Sequence, residues 1–286
     1  MNKIETIIKK DYTLHPLRIE KVESGSGSTY LIKTFKNQYI GKLNNRKSII
    51  NIYEKVEPIL NKQGINQCKV IRSNKNLLTV NDFVLYTYIP GYTYHQFNPI
   101  QEKNALLYMK KYHQILKTVP FVEDELPLEN HWDKMRSIDY LINELTPITN
   151  DKDIHKGIDI LSQYKYVLKN LPKQLIHSDL GPDNFIFNQD EVISIIDFTP
   201  DYNHELYSLG HFIYWNYLWD NHNIQKIDLL NYFHYYKEYS DLEDIFLIIL
   251  LHVALIRILG VLMIDHKKKI NKRLDILRQL LKIIVR

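Results

Sequence analysis

The chain has 286 residues, of which 45% are hydrophobic and 24% are charged, and its formal net charge is +4. These values are typical of a folded protein with one bilobal unit or two domains, and they exclude a chain that is disordered throughout. The small, evenly spread positive charge argues against a nucleic-acid partner. Cys68 is the only cysteine, which excludes an intramolecular disulfide framework and favours a reducing compartment, so we expect a cytoplasmic protein.

The first part of the chain is rich in short β-branched and aromatic runs bounded by turn residues. These runs predict strands at 30–35, 38–43, 68–71 and 83–89. Between the second and third runs, apolar residues recur at helical spacing from Lys47 to Lys62, and Gly64 supplies a C-terminal stop. Pro58 lies inside this pattern, where we expect it to kink or break the helix.

After Pro90-Gly91 the pattern changes to long helices, predicted at 100–118, 133–146, 154–170, 204–219, 226–239, 242–264 and 270–284. Two apolar runs between these helices, 175–187 and 192–200, predict a β-hairpin. A sheet followed by helices is typical of the α+β class. We therefore expect an N-terminal lobe of residues 1–90 and a C-terminal lobe of residues 91–286, which contains the hairpin at 175–200.

Residues 245–264 form an apolar run that is long enough to span a bilayer. His252 and Arg257 interrupt it, and an arginine at the bilayer centre costs roughly 2.5–3.5 kcal/mol on insertion scales. We therefore expect a helix buried in the helical lobe and no membrane, with a membrane-anchored protein as the alternative. Arg257 then needs a buried carboxylate or carbonyl partner, which the sequence does not identify.

The strongest functional signal is the polar segment between the two apolar runs. His177, Asp179, Asn184 and Asp197 lie within one short span, and a hairpin of this length can bring the last three to one edge. Phosphoryl transfer from a nucleotide needs one carboxylate near the reacting hydroxyl, plus an amide and a second carboxylate to hold Mg²⁺. A polar turn beside unrelated carboxylates is the alternative, because Gly-Pro-Asp-Asn is favourable turn chemistry.

This segment resembles the catalytic loop of the aminoglycoside phosphotransferase and choline kinase superfamily, whose pattern is His-x-Asp-x-x-Pro-x-Asn. His177, Asp179, Pro182 and Asn184 match that pattern. The resemblance implies a bilobal protein-kinase-like fold, with a small antiparallel sheet lobe carrying one main helix and a larger, mostly helical lobe. It also implies that Asp179 is the catalytic base, that Asn184 and Asp197 are Mg²⁺ ligands, and that His177 is a structural brace.

Two positions of the segment differ from the protein kinases. Ser178 replaces the arginine that meets a phosphorylated activation loop, and Gly181 replaces the lysine two positions after the catalytic aspartate. Both replacements are ordinary in the antibiotic-kinase branch of the superfamily. They favour a small hydroxyl compound over a protein as the acceptor.

The resemblance further implies a phosphate-binding site in the first lobe. Lys42 is expected to pair with the α- and β-phosphates and with Glu54 on the following helix, with Glu57 as the second choice. The turn at 23–30 is by itself weak evidence, since it also suits a simple hairpin. Placed before two strands, it is expected to cover the nucleotide phosphates through Ser26, Gly27 and Ser28.

The segment before Pro90 resembles the lobe-connecting segment of the same superfamily. There the carbonyl of Thr87 and the N–H of Ile89 are expected to hold adenine, with Tyr86 at the back of the pocket. A strand that runs into a turn is equally compatible with these residues. Further along, Asp201 and Glu205 are expected either to contact the substrate or to cap the next helix.

The acceptor is not readable from the sequence. Acidic residues of the helical lobe would favour a cationic acceptor, or they would lie on solvated faces: Glu123, Asp124, Glu125, Glu129, Asp201, Glu205 and Asp220. Aromatic residues would stack a sugar or cage a quaternary amine, or they would belong to the core: Trp132, Trp215 and Trp219.

We therefore expect a Mg²⁺-dependent kinase that uses ATP or GTP to phosphorylate a hydroxyl of a small molecule. An aminoglycoside-type antibiotic is the leading acceptor, and choline, homoserine, a thio-sugar or a coenzyme precursor are the alternatives. A nucleotide-binding pseudokinase or scaffold is the alternative from another class. The intact Asp179, Asn184, Asp197 and Lys42 argue against it.

Overall fold

The computed structural model describes residues 3–22, 28–43, 46–237, 241–263 and 269–285, with Ser28 described by its backbone alone. Its helices are α1 (Lys3–Asp11), α2 (Lys47–Lys62), α3 (Pro99–Leu116), α4 (His131–Lys134), α5 (Ile138–Ile148), α6 (Lys152–Lys169), α7 (Leu206–Ile213), α8 (Lys226–Tyr236), α9 (Glu243–Met263) and α10 (Ile270–Ile284). Its strands are β1 (Arg18–Val22), β2 (Ser28–Lys33), β3 (Gln38–Leu43), β4 (Val70–Ile71), β5 (Val84–Thr87), β6 (Gln174–His177), β7 (Phe185–Asn188), β8 (Glu191–Ile195) and β9 (Pro200–Asn203).

The first five strands form one antiparallel sheet in the order β1-β2-β3-β5-β4. Side chains alternate between its two faces, as the pleat requires. Phe83 and Leu85 face a cluster with α1, whereas Val84 and Tyr86 join the main core with α2. The sheet is therefore covered by helices on both faces.

The prediction missed two elements of this lobe, α1 and β1. Helix α1 is short and mostly polar, and only Ile4, Ile7 and Ile8 carry its apolar stripe. Strand β1 lies at the sheet edge, so it is only partly buried and lacks a strong apolar pattern. Helix α2 remains a single helix through Pro58, which corrects the expected break.

Helix α9 lies at the centre of the helical lobe, where it packs against α5, α6, α7, α8 and α10. It is long and apolar enough to cross a membrane, but 89% of its most apolar window is buried inside the protein. Helix α9 is therefore a core helix, as His252 and Arg257 within the apolar run indicated.

The region around the predicted hairpin contains two separate strand pairs, which corrects the expectation of a single hairpin. Strands β7 and β8 form the hairpin, whereas β6 pairs with β9. The partner of β6 has the sequence Pro-Asp-Tyr-Asn, which carries no apolar strand pattern and was therefore missed. The polar segment 178–184 thus connects β6 to β7.

Two predicted helices also differ from the structure. The helix expected at 133–146 is divided into α4 and α5, which are separated at Met135–Ser137. The helix expected at 204–219 is α7 followed by a π-helical turn, Tyr214–Leu218. This turn carries Trp215, and Trp219 follows directly after it.

Gly91 lies where the chain passes from the sheet to the helices, at the proposed lobe boundary. The next residue, Tyr92, exchanges two backbone hydrogen bonds with Phe187 of β7, at 2.9 and 2.8 Å. A Cβ at Gly91 would lie 2.4 Å from Ile186 Cγ2 and 2.7 Å from the Phe187 carbonyl oxygen. A glycine is therefore needed for the connection to lie against the β7–β8 hairpin.

We predict that Gly91→Ala lowers the free energy of unfolding by about 2 kcal/mol or more, because the backbone of Phe187 cannot move aside as a flexible side chain would. Urea denaturation provides the measurement. Gly157→Ala on α6 is the control: its Cβ would meet only leucine side chains, the nearest at 3.4 Å, so stability should be unchanged or slightly raised. Equal effects of the two substitutions would contradict the assignment of a tight contact at Gly91.

Candidate active site

The segment 178–184 is held in shape by its own backbone and by one side chain. Pro182–Asn184 forms a 3₁₀ turn, in which the Asn184 N–H donates to the Gly181 carbonyl at 3.0 Å. The Asn184 side-chain N–H donates to the Asp179 carbonyl at 2.7 Å. These bonds fix the positions of Asp179 and Asn184 relative to each other, as the sequence motif predicts.

His177 is fully buried beneath this loop. Its Nε2 lies 3.2 Å from the Ile196 carbonyl, and its Nδ1 accepts from the Asp179 N–H at 3.3 Å. Burial lowers the pKa of His177 to about 4, so the ring is neutral at pH 7 and its Nε2–H donates to Ile196. A neutral ring that links the catalytic loop to the end of β8 is suited to the role of a brace.

Asp179 forms an ion pair with Arg257 of α9, which identifies the buried partner that the sequence left open. Arg257 Nη2 lies 2.6 Å from Asp179 Oδ1 and 2.8 Å from His211 Nδ1. The Arg257 side chain is 10% exposed, whereas that of Asp179 is 53% exposed. The half-exposed carboxylate of Asp179 is therefore held in place by an ion pair with a buried guanidinium.

The Arg257 guanidinium also determines the charge state of Asp179. Burial acts to raise the pKa of the carboxyl group, but the charge and hydrogen bond of Arg257 outweigh it and lower the pKa to about 2. Asp179 is consequently an anion at any pH above about 4. A carboxylate that is always ionised can accept a hydrogen bond from a hydroxyl group and orient it.

Asp197 follows β8 and pairs with Lys42 of β3, so it joins the two lobes. Its backbone has a φ of 61°, in the left-handed region that non-glycine residues seldom adopt. The conformation is held on one side by the Ile196 N–H, which donates to the Asn184 carbonyl at 2.8 Å. On the other side the Thr199 hydroxyl donates to the Asp197 carbonyl at 3.2 Å.

Lys42 is mostly buried at this junction. Burial lowers the pKa of its ammonium to about 8, although the charge of Cys68 acts in the opposite direction, and the ammonium pairs with the Asp197 carboxylate. A lysine with little hydration and one protein counter-charge is well placed to receive an anionic group such as a phosphate.

Asn184 and Asp197 together suit Mg²⁺. Because the Asn184 amide nitrogen is used by Asp179, its oxygen is the atom left for a ligand, and the Asp197 carboxylate is 52% exposed. Among the described residues no group of three or more His, Cys, Asp and Glu gathers as a metal site. Mg²⁺ commonly takes only one or two protein oxygens and completes its shell with water and phosphate oxygens, so the two residues fit it.

The expected pair of Lys42 with Glu54 is not formed, which corrects the prediction. Glu54 pairs with Arg72 instead, and both side chains are partly exposed. Glu57, the second choice, accepts a hydrogen bond from the Asn61 side chain, and no ion pair between it and Lys42 is formed among the described residues. Glu54 and Glu57 lie one turn apart on α2, and the sequence does not give the rotation of this helix against the sheet. That rotation brings Glu54 to Arg72.

The expected adenine contacts lie at the end of β5. Tyr86 and Ile89 are buried, and Tyr86 packs edge-on against Tyr53 of α2. The Thr87 N–H donates to the Lys69 carbonyl at 2.9 Å, whereas the Ile89 N–H donates to no backbone carbonyl of a described residue. Of the phosphate-cover residues, Ser26 and Gly27 lie outside the described residues and Ser28 begins β2.

The acidic residues proposed for the acceptor site are, with the exception of Asp124, paired with lysine or arginine. The pairs are Glu123–Lys173, Glu125–Lys55, Glu129–Arg46, Asp201–Arg136, Glu205–Lys237 and Asp220–Lys272. Asp201 is buried, and Glu205 also accepts from the Tyr236 hydroxyl at 3.1 Å. These carboxylates are thus engaged within the protein.

Arg273 was missed by the sequence analysis. It is buried on α10 beside Trp215 and Trp219, and Trp215 contacts the position where Gly181 would carry a Cβ, at 3.4 Å. A signal was present in the sequence: Arg273 occupies the apolar stripe that continues with Ile276 and Leu277. An arginine at a core position of an amphipathic helix requires an explanation.

One surface depression of the described chain lies apart from segment 178–184. Its volume is about 910 Å³, and it is lined by the β2–β3 turn with residues 33–39 and by the outer side of the lobe connection at Thr87, Tyr88 and Pro90. It includes no residue of segment 178–184. The chemistry is therefore assigned from the polar groups rather than from cavity size.

Comparison with protein families gives one match over most of the chain. Residues 18–219 match the model described as APH, phosphotransferase enzyme family. None of the curated protein sequences compared with the chain is a match.

Solved structures of phosphotransferases are similar over nearly the whole chain. A complex of amicoumacin kinase with AMP-PNP, Ca²⁺ and Ami has a TM-score of 0.69 and 18% identity, over 97% of this chain and 94% of that one. The GDP complex of aminoglycoside 2'-phosphotransferase-IIIa has a TM-score of 0.67 and 16% identity, over 98% of both chains. A spectinomycin phosphotransferase with ADP and spectinomycin has a TM-score of 0.59 and 16% identity, over 98% of this chain and 93% of that one. The predicted α+β, protein-kinase-like fold is thereby confirmed, and at these identities the likeness extends to the fold alone.

We predict that the two halves of the Asp179–Arg257 pair differ in their effect on stability. Asp179→Ala leaves a buried guanidinium without its carboxylate and should cost about 1–3 kcal/mol. Arg257→Met places an apolar side chain in an apolar helix and returns a half-exposed carboxylate to water, so stability should stay within about 1 kcal/mol or rise.

The free energy of unfolding in urea tests this asymmetry. Asp183→Ala, in the same loop but with a largely exposed side chain, is the control and should have little effect. If Arg257→Met lowers the free energy of unfolding more than Asp179→Ala does, the buried guanidinium does not need the Asp179 carboxylate for its stability.

Proposed function

The chain belongs to the APH phosphotransferase enzyme family, and we propose that it transfers the terminal phosphoryl group of ATP or GTP to a hydroxyl group of a small molecule. The observation that carries this proposal is the ion pair of Lys42 with Asp197. It brings the phosphate-binding cation of the sheet lobe against the metal-binding carboxylate of the helical lobe. The Ile196–Asn184 hydrogen bond then links this junction to the loop that carries Asp179.

In the proposed reaction Asp179 accepts a hydrogen bond from the acceptor hydroxyl and aligns its oxygen with the terminal phosphate. Positioning of this kind supplies much of the rate in phosphoryl transfer, because the transition state needs little covalent help from the protein. Lys42 holds the phosphates of the nucleotide. Asn184 and Asp197 would hold Mg²⁺, which when bound neutralises charge on the phosphate oxygens.

Adenine or guanine would lie at the end of β5, between the two lobes. The buried Tyr86 closes the back of this region, and the unused Ile89 N–H is available to a base. The solved structures that resemble the chain hold AMP-PNP, ADP or GDP. Both ATP and GTP should therefore be tested as phosphoryl donors.

An antibiotic is the leading class of acceptor, because the similar structures include kinases of amicoumacin, spectinomycin and hygromycin B. The aminoglycoside expected from the sequence is one member of that class, and metabolic alcohols such as choline or homoserine remain the alternatives. The free, partly buried Cys68 and the buried α9 support a cytoplasmic enzyme that α9 does not anchor in a membrane.

We predict that purified protein releases ADP or GDP in the presence of one acceptor of a panel of antibiotics and metabolic alcohols, and that Asp179→Asn lowers this rate about 100-fold or more. Asp183→Asn, four residues further along the same loop and largely exposed, is the matched control and should retain the rate. Nucleotide binding measured by calorimetry should be unchanged in both variants. If nucleotide binds but wild type and Asp179→Asn release equal amounts with every acceptor, the protein is a nucleotide-binding scaffold.

We further predict that nucleotide affinity falls as the pH rises through about 8. Lys42 binds phosphate as an ammonium ion, and burial places its pKa near that value in the free protein, so the cation is present below it and lost above it. Calorimetric Kd values for AMP-PNP between pH 6.5 and about 9.5 provide the measurement. In Lys42→Arg, whose guanidinium stays charged, the fall should disappear. An identical profile in this variant would assign the titration to another group.

A further inference from the structure

Two arginines, a lysine and two tryptophans form a stack beside the catalytic loop, which we call the arginine–tryptophan cluster: Arg257, Arg273, Lys272, Trp215 and Trp219. The guanidinium carbon of Arg257 lies 5.0 Å from the Trp215 ring centre, and that of Arg273 lies 5.7 Å from the same ring. Arg273 also stacks on Trp219 at 5.2 Å, and the Lys272 ammonium lies over Trp219 at 4.3 Å. Cations over indole faces are favourable pairs, so the cluster holds its positive charges in defined places.

The cluster borders the proposed phosphoryl-transfer site at two points. Arg257 contacts the Asp179 carboxylate at 2.6 Å. Trp215 lies against Gly181, two residues further along the loop, where a Cβ would meet the indole at 3.4 Å. Since both guanidinium groups stack on the same indole, Trp215 connects Arg273 to the Asp179–Arg257 pair.

The charges of the cluster do not balance. Arg257 is paired with Asp179, and Lys272 is paired with Asp220 at 3.3 Å. Arg273 donates from Nη1 to the Tyr214 hydroxyl at 3.2 Å, its buried Nε has no hydrogen-bond partner, and no carboxylate of a described residue forms an ion pair with it. A guanidinium that is 8% exposed and has no counter-charge among the described residues is costly in a folded protein unless a further group supplies one.

Two acidic residues that the sequence offered for the acceptor site do not supply this counter-charge, because they are already paired within the protein. Asp201 faces Arg136, and Glu205 is bound by Lys237 and the Tyr236 hydroxyl. An acceptor with several ammonium groups would therefore meet a surplus of positive charge beside Asp179. An acceptor with a negative group would supply the missing partner.

We propose that the acceptor of this enzyme carries a carboxylate next to a flat ring: the carboxylate pairs with Arg273 and the ring stacks on Trp215 or Trp219, while its hydroxyl reaches Asp179. This inference rests on the proposed phosphotransferase function and narrows it to acidic hydroxyl compounds. An arginine receives a carboxylate through two parallel N–H donors, which gives orientation as well as affinity. Polycationic aminoglycosides are then excluded as good substrates.

The first test measures binding without catalysis. Phenylacetate, benzylamine and benzyl alcohol share one ring and differ in charge, and their binding to the protein saturated with Mg²⁺ and AMP-PNP is followed by quenching of tryptophan fluorescence. Phenylacetate should bind about tenfold or more tightly than benzylamine, with benzyl alcohol between them. Benzylamine binding as tightly as phenylacetate, or more tightly, would overturn the proposal.

Variants of α10 assign the preference to Arg273. Arg273→Met should abolish the preference for phenylacetate, and Arg273→Lys, which keeps the charge without the fork, should retain part of it. Arg278→Met is the matched control: Arg278 lies on the same helix but pairs with Asp153 at the surface, so the preference should remain. A preference that survives Arg273→Met would show that Arg273 has only a structural role, and thermal unfolding of each variant confirms that it is folded.

Turnover separates this proposal from the function on which it rests. Kanamycin and a panel of ring-bearing hydroxy acids are compared by kcat/KM. Efficient phosphorylation of kanamycin would overturn the acidic-acceptor proposal and leave the phosphotransferase function intact. Absence of turnover with every compound, together with the phenylacetate preference lost in Arg273→Met, would refute the phosphotransferase function while supporting an anion site in the cluster.

Discussion

The contact between Asp179 and Arg257 links the chemistry of this protein to its hydrophobic core. Arg257 belongs to α9, the most apolar helix of the described chain, and its burial would be unfavourable without a carboxylate. Asp179 supplies that carboxylate from a loop that is otherwise at the surface of the cleft. The same ion pair therefore holds the central helix in register and fixes the position and charge of the proposed catalytic group.

A second constraint acts between the lobes. Asp197 has a left-handed backbone and a carboxylate that pairs with Lys42 across the cleft. A non-glycine residue in this conformation costs free energy, so the surrounding hydrogen bonds of Ile196 and Thr199 must maintain it. Strain at this position agrees with a residue selected for the placement of its carboxylate. Phosphates and Mg²⁺ would replace part of the present Lys42–Asp197 pairing when nucleotide binds.

Sequence patterns predicted the parts of the site that depend on local structure. The spacing of Asp179 and Asn184 produced the turn in which they contact each other, and the apolar run before Asp197 is strand β8. Patterns failed where pairing joins distant segments: the polar β9 is the partner of β6, and the partner of Arg257 lies in the catalytic loop. Such contacts are decided by packing, which local propensity does not contain.

The choice between Glu54 and Glu57 failed for a related reason. Both lie on α2 one turn apart, and only the rotation of the helix against the sheet determines which carboxylate approaches Lys42. The same difficulty applies to the acidic residues of the helical lobe, because the sequence does not show which of them form ion pairs within the protein. The sequence left open whether they form a site for cations or lie on solvated faces, and in the structure all but Asp124 are paired with lysine or arginine.

Arg273, which forms no ion pair with a described residue, lies outside the residues that match the family model. The family match covers residues 18–219, which include Lys42, the catalytic loop and both tryptophans of the cluster, but neither Arg257 nor Arg273. The groups proposed to bind nucleotide and move the phosphate thus lie within the family match, whereas Arg257 and Arg273 belong to α9 and α10, outside it. Since a buried charge acts strongly on whatever enters its cleft, the proposed selection of acidic acceptors would rest on these two helices rather than on the residues that match the family.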